Sequence, residues 1–418
     1  MTGGGRPARI LRHPALLCFF ALLAAPTLVS AQIVGREWGF EANHRSARAG
    51  DGSGGVLSAM DNASASFTLT QQLRRGLLTY RASVGLAYTA QDRLGFAAGE
   101  DGLLIYPGRA GIELLIAPPD RLGAWISGEL GRVVLDEPSG LLFVNRDAIE
   151  PRQLADGVVI GMTWQRTRLR ASAASLRLVD GALNRITETS NEPTGLGTTI
   201  LIAEVGRTAL VRQQNATFVT VATIDAPIRD GRSDSVAAGI VVDGPVHSRV
   251  SHRTTGYGAW TGTTNESESG FALLLDTRID IATGIRWIEH PWLRALYAGG
   301  VDGSVPFPAA AGAPVSGVFA EPAADLVAAE VGGATEFLLG NGSGTVRPEI
   351  AFRVLGVPSG LPGPRTGLEP DGRFAGVEIH PGISVVPIGG VTLSAEAALL
   401  VGGAGPRNLL RFHGRVVL

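Results

Sequence analysis

The chain has 418 residues, 57 of them Gly, with 36 basic against 38 acidic residues and a formal net charge of −2. Every basic residue is Arg, which excludes Lys-based Schiff-base chemistry, and so even a charge balance gives no support to nucleic-acid binding. The single cysteine, Cys18, lies near the start, so the remainder can form no disulfide, thiolate zinc site or thiol nucleophile.

The first 31 residues read as a secretory signal. Arg6, Arg9 and Arg12 form a positive region, Leu16 to Ala25 an apolar one, and Val29-Ser30-Ala31 a small-residue cleavage site, so the mature chain is expected to begin at Gln32. No apolar run after it is long enough for a membrane helix. Period-two alternation takes over instead. A first strand is expected over Ile33 to Asn43, with Trp38, Phe40 and Ala42 on one face, and a second around Ala65, Phe67 and Leu69. In the next, Leu78, Tyr80, Ala82, Val84, Leu86 and Tyr88 share a face, while Thr79, Arg81, Ser83 and Gly85 share the other. Its two tyrosines stand about 26 Å apart along an extended strand. Tilted, that separation approaches the apolar band of about 25 Å between the aromatic girdles of a membrane barrel.

Shorter alternations follow. Ile112, Leu114 and Ile116 form one, and Trp125 to Val133 another, with Glu129 as an exception to an apolar stripe. Val158, Ile160, Met162 and Trp164 lead to a tight turn at Arg166-Thr167, and then to Leu169, Ala171 and Ala173. Further strands are expected from Ile200, over Phe218 to Ile224, over Val236 to Val242, and from Val246 to Trp260. From Phe271 the alternation runs to Trp287, about 53 Å if unbroken, more than one crossing needs, so a break is expected at Ala282-Thr283-Gly284. Residues 299–344 are rich in Ala, Gly and Pro and read as a long loop, a candidate constriction or external loop, with a short helix over Pro322 to Val331. Residues 136–156, 180–197 and 357–372 are further long loops.

The last 46 residues carry the clearest pattern, three antiparallel strands. Val377, Ile379, Ile383 and Val385 oppose Glu378, His380, Gly382 and Ser384. After the turn at Pro387 to Gly390, Val391, Leu393, Ala395, Ala397 and Leu399 oppose Thr392, Ser394, Glu396 and Ala398. Last, Phe412, Gly414, Val416 and Leu418 oppose His413 and Arg415.

Taken together, residues 32–418 resemble the bacterial outer-membrane β-barrel proteins, as a general pattern and with no subfamily motif. The most specific part is the final strand, with Phe412, Val416 and Leu418 at alternate positions and Leu418 where that family usually ends in Phe. The resemblance implies an all-β fold: a transmembrane antiparallel up-and-down barrel of about 14–16 strands in the outer membrane of a Gram-negative-type bacterium. It also implies lipid around the barrel, assembly through recognition of the last strand by the barrel assembly machinery, and a porin-like passive channel or transporter for a small solute. The lumen-facing candidates are Arg81, Glu378, His380, Ser384, Glu396, His413 and Arg415, and the girdle candidates are Tyr80, Tyr88, Trp164 and Trp287. No cofactor, metal or catalytic residue is expected. Residues four apart on a strand stand about 13 Å apart, so His380 cannot activate Ser384. The alternatives are a soluble exported β-sandwich or adhesin-like binding protein and, further off, a barrel-embedded hydrolase.

Overall fold

The computed structural model describes residues 32–50, 56–75, 78–93, 102–116, 124–133, 135, 137–142, 153–178, 198–208, 213–228, 231–263, 269–285, 287–300, 326–340, 344–357, 374–388, 390–402 and 407–417. The expected signal, residues 1–31, lies outside them. Nineteen strand segments are present among the described residues. They are β1 (Gln32–Gly50), β2 (Val56–Arg75), β3 (Leu78–Arg93), β4 (Gly102–Ile116), β5 (Ala124–Val133), β6 (Gln153–Trp164), β7 (Thr167–Leu178), β8 (Thr198–Thr208), β9 (Asn215–Ile228) and β10 (Gly231–His247). After these come β11 (Val250–Thr263), β12 (Ser269–Ile281), β13 (His290–Gly300), β14 (Leu326–Ala334), β15 (Phe337–Leu338), β16 (Thr345–Gly356), β17 (Phe374–Val386), β18 (Val391–Val401) and β19 (Arg407–Val417).

Each strand pairs antiparallel with its neighbours in sequence, and β1 pairs with β19 from Glu37↔Val417 to Ala47↔Arg407. The sheet is therefore a ring. The stub β15 continues β14 past a break at Thr335 and Glu336; both pair with β16, and the Thr335 N–H donates to the Pro348 carbonyl across the break at 3.2 Å. The ring thus has eighteen strands among the described residues, more than the 14–16 expected. Closure is what the physical chemistry demands of a sheet in hydrocarbon, where an open edge would leave a row of N–H and C=O groups with no water to bond.

The extra strands are those whose two faces do not contrast. In β13, Trp292, Leu296 and Ala298 are buried on one face, while Leu293 and Ala295 are exposed on the other. In β14 the side chains are largely Ala, Val and Gly on both faces. Residues 299–344 are accordingly not one loop: Leu326–Ala334 is a strand and not part of a helix, and only 301–325, outside the described residues, connects β13 to it. β16 carries Pro348, and the sequence reading places only its Arg353 on a candidate strand, without bounds. The expected break was well placed: β12 ends at Ile281, just before Ala282-Thr283-Gly284. Val246 to Trp260, expected as one strand, is split by a turn at Ser248-Arg249.

The outer wall is apolar and exposed. It carries Trp38, Phe40, Leu130, Ile160, Met162, Phe218, Leu275, Phe352, Val377, Ile379, Ile383, Leu399 and Phe412. Along β17 the outward Val377, Ile379 and Ile383 alternate with buried Glu378 and half-buried His380 and Ser384. A soluble sheet would do the reverse, because exposing aliphatic surface to water costs roughly 25 cal/mol per Å². Face Trp125 to Val133 in β5, read as an apolar stripe with one exception, turns its Ser127, Glu129 and Val133 inward, while Ile126 and Leu130 face out.

The longest connections gather at one end of the ring, although 229–230 at that end is a two-residue turn and 282–289 at the other is longer. At one end the strands join through 76–77, 165–166, 248–249 and 387–390, and at the other through 94–101, 134–152, 179–197, 301–325 and 357–373. Gln32 and Val417 lie at the short-turn end. Short turns on one rim and long loops on the other are the habit of outer-membrane barrels.

Candidate functional site

Two features of the lumen organise the site: a belt of ion pairs on the inner wall, and a segment of chain folded inside the ring. The belt follows from register. Residues directly opposite in antiparallel strands point to the same face, so Arg278↔Arg294↔Glu330↔Arg353↔Glu378↔Leu400 is one inward row across β12 to β18. Arg353 is its hub. Its Nε donates to Glu330 Oε2 at 2.5 Å, and Nη1 donates to Glu378 Oε1 and to His380 Nδ1, the latter at 2.9 Å. Because Arg353 can only donate, Nδ1 of His380 accepts, which places the imidazole N–H at Nε2. Nε2 faces Glu396 Oε2 at 3.4 Å, and Arg411 approaches the same oxygen at 3.8 Å.

Toward β12 the chain of contacts continues. Trp292 Nε1 donates to Glu330 Oε1 at 2.5 Å, and Arg294 grips Asp276 through two bonds of 2.7 and 3.3 Å. The Arg278 guanidinium lies 4.8 Å from the centre of the Trp292 ring and binds Asp280 at 2.8 Å. The indole lies flat because Gly332 is beneath it: a Cβ there would meet Trp292 Cζ2 at 2.3 Å. Elsewhere on the ring, Arg170 pairs with Glu204 at 3.4 Å. Glu378 is fully buried, as are Glu204 and Glu330 nearly so. Buried carboxylates on a wall backed by hydrocarbon persist only when cations and donors meet them, and here each does.

On the long-loop side of this belt the inner wall is greasy. Ile200, Ile202, Val219, Val221, Tyr257, Leu274, Leu296, Ala298, Leu355 and Leu400 are buried in one cluster, together with Leu135, Leu141 and Leu142. Those last three belong to the described part of the β5–β6 connection, which therefore lies inside the ring. Its turn is organised by Glu137, whose carboxylate accepts from the Ser139 N–H at 2.7 Å, the Ser139 hydroxyl at 2.5 Å and the Leu142 N–H at 3.0 Å. The wall supplies a fourth donor, the Tyr257 hydroxyl, at 2.9 Å. Tyr257 lies over Gly239, where a Cβ would come within 2.5 Å of its Cδ1. The infolded segment shown among the described residues is thus 135 and 137–142; of 299–344, expected as a constriction or an external loop, the 301–325 part lies outside them.

Of the lumen candidates, Glu378, His380 and Glu396 are brought together in the belt. Ser384 is on the same face but stands opposite Arg347 and Ser394, away from His380. His413 stands opposite Ser394 and Glu41, and Arg415 binds Glu37 at 2.6 Å across the closing seam. Arg81 occupies a β3 position opposite Gln72 and Gly111, with its side chain outside the described residues. Tyr80 is half-buried opposite Leu73 and Ile112; Tyr88 stands opposite Ala65 and Leu103, its side chain outside the described residues. Trp164 is exposed at the end of β6, beside a short turn. Trp287 is not on a strand at all, but in the β12–β13 connection. Sequence reasoning missed Asp276, Arg278, Arg294, Glu330, Glu137 and Tyr257. Asp276 and Arg278, with Asp280, sit at alternate positions of β12, a period-two signal for charge that was there to be counted, whereas Arg294 and Glu330 stand alone on β13 and β14.

No model of a known protein family matches the sequence, and no curated protein matches it either. Solved structures do resemble the fold. OccK7 (OpdD) of Pseudomonas aeruginosa superposes with a TM-score of 0.58 at 11% identity, covering 94% of this chain and 99% of its own. OpdK of the same organism, crystallised with vanillate, gives 0.55 at 10% identity over 92% of this chain and 98% of its own. OpdQ gives 0.53 at 11% identity over 94% and 99%. Over nearly its whole length, then, the chain has the fold of a bacterial outer-membrane β-barrel.

Proposed function

We propose that the chain is an outer-membrane channel that passes small solutes passively, exported by residues 1–31 and assembled through recognition of β19. The observation that carries this reading is the closed ring with aliphatic groups outside and a belt of ion pairs inside across β12 to β19. A wall built to pack a dry core would not place Arg353, Arg294 and Arg278 in one inward row. A belt of mixed sign sets a transverse field that orients a dipolar solute as it passes. The likeness to OpdK, crystallised with vanillate, supports a solute of small organic type.

The infolded segment is the constriction in this reading, because it occupies the lumen beside the belt. Three guanidiniums at the short-turn mouth, those of Arg168, Arg253 and Arg347, are inward and exposed and make no ion pair among the described residues. They would meet the negative end of a solute, with Asp243 and Glu349 of opposite sign nearby. Heat-modifiable mobility on gels tests the barrel, and unit conductance steps in planar bilayers test the channel. A protein that is heat-modifiable but never gives such steps is a barrel without an open path, and the channel reading then fails.

A further inference from the structure

His380 is held by a contact that only its neutral form can make. Its Nδ1 accepts from Arg353 Nη1 at 2.9 Å, and its Nε2 faces Glu396 Oε2 at 3.4 Å. Arg353 has hydrogens and no lone pair to offer, so a proton on Nδ1 would confront a guanidinium N–H. The imidazolium therefore cannot form until Arg353 Nη1 gives up Nδ1. That Nη1 has another acceptor at hand, because it already donates to Glu378. A proton can also reach the ring. His380 points inward from β17, with 15% of its side chain accessible.

The added charge has a partner. The charged and titratable groups around His380 are Arg353 and Glu349 on β16, Glu378 on its own strand and Glu396 on β18. Glu330 on β14 and Arg411 and His413 on β19 stand one strand further off. Among the described side chains of the belt from β14 to β19, the carboxylates of Glu330, Glu378 and Glu396 meet only the guanidiniums of Arg353 and Arg411. Glu349, toward the mouth, has Arg347 two residues before it on the same face. The backbone ladder also lapses here. β17 and β18 pair at Ile379↔Leu399 and next at Gly382↔Glu396, in the same register, passing over His380 and Pro381, which has no N–H to give. The His380–Glu396 contact spans that interval and ties the two strands at that height.

We propose that His380 makes the lumen responsive to acidity: on taking up a proton it leaves Arg353, forms an ion pair with Glu396 and adds one positive charge to the inner wall. The proposal rests on the channel reading for its effect on conduction, and not for the chemistry of the ring. Histidine ordinarily changes charge between about pH 5 and 8, which sets the range to be scanned.

Two measurements on the refolded full chain test it. In detergent, with isotopically labelled histidine, nitrogen NMR reads both ring nitrogens of His380, assigned by their loss in His380→Gln. The expected spectrum has a proton on Nε2 alone at about pH 8 and on both nitrogens at about pH 5. In planar phosphatidylcholine bilayers, the reversal potential in a potassium chloride gradient is compared across the same range. On acidification the cation-to-anion permeability ratio of the parent should fall by a factor of roughly two to five, the effect of one unit charge several ångströms from a passing ion in water. His380→Gln should abolish most of that fall, and His413→Gln should leave it in place. A proton on Nδ1 alone at about pH 8, a ring still neutral at about pH 5, or a fall in the ratio that survives His380→Gln overturns the proposal. A protein whose His380 takes up the proton as expected but which never conducts supports the ring chemistry and refutes the channel reading instead.

Discussion

Tyr257→Phe isolates the bond that ties the infolded segment to the wall. The substitution removes one oxygen and leaves the ring on Gly239. Glu137 keeps its three donors from Ser139 and Leu142, but these belong to its own turn and do not hold it to the barrel. Both partners are nearly inaccessible, Tyr257 at 2% and Glu137 at 3%. A hydrogen bond to a charged group contributes about 1.5–3 kcal/mol, and each 1.4 kcal/mol is a factor of about ten, so release of the segment becomes roughly 10- to 100-fold more frequent. The contacts of Leu135, Leu141 and Leu142 are unchanged and keep the segment inside most of the time. Single-channel recording in planar bilayers should then show brief excursions to a higher conductance that the unaltered protein rarely visits. Glu137→Ala, which also leaves the Tyr257 hydroxyl buried without an acceptor, should do so more often, and Glu137→Gln, which keeps an acceptor oxygen, less often. A Tyr257→Phe protein that folds normally but shows the parent conductance and noise would refute the idea that this bond sets the lumen's width.

Other outcomes follow from the belt and the seam. Arg353→Met strands the carboxylates of Glu330 and Glu378 in the wall and should cost about 3–5 kcal/mol, read as a lowered urea midpoint for loss of the heat-modifiable form; adding Glu330→Gln and Glu378→Gln should recover much of it. Arg415→Ala removes an exposed pair with Glu37 and should move the same midpoint by less than about 1 kcal/mol. Gly332→Ala drives a methyl into the Trp292 indole and should displace it from Glu330, detected as a shift in tryptophan emission relative to a Gly340→Ala control, where the Cβ meets open space. Arg253→Glu reverses a charge at the short-turn mouth and should shift the reversal potential in a salt gradient toward cation preference.

The C-terminal strands were legible because their faces differ in kind: Glu378 and His380 against Val377 and Ile379. The same reasoning undercounted strands where the inner wall is itself apolar. Trp292, Leu296 and Ala298 line the lumen as greasily as Leu293 lines the outside, so β13 shows no contrast for period-two reading to catch. Ala and Gly in β14 carry too little side chain to mark either face. The infolding of Leu135, Leu141 and Leu142 was not legible at all. A loop that packs inside a ring has the same composition as one that packs against a neighbour, and its partner Tyr257 is 120 residues away. Trp287 ends the alternation that begins at Phe271, and nothing in that pattern shows that it lies in a connection with Ile288 against Gly333, because Gly333 is on β14, a strand the sequence reading took for loop and helix.

The seam between β1 and β19 carries a consequence for biogenesis. Eleven rungs there join the opening stretch of the barrel to its closing one, so β1, paired early with β2, finds a partner for its other margin only when the last strand is available. Until then both unpaired margins offer N–H and C=O groups to other chains, so a tendency to self-associate before closure is set by the topology itself.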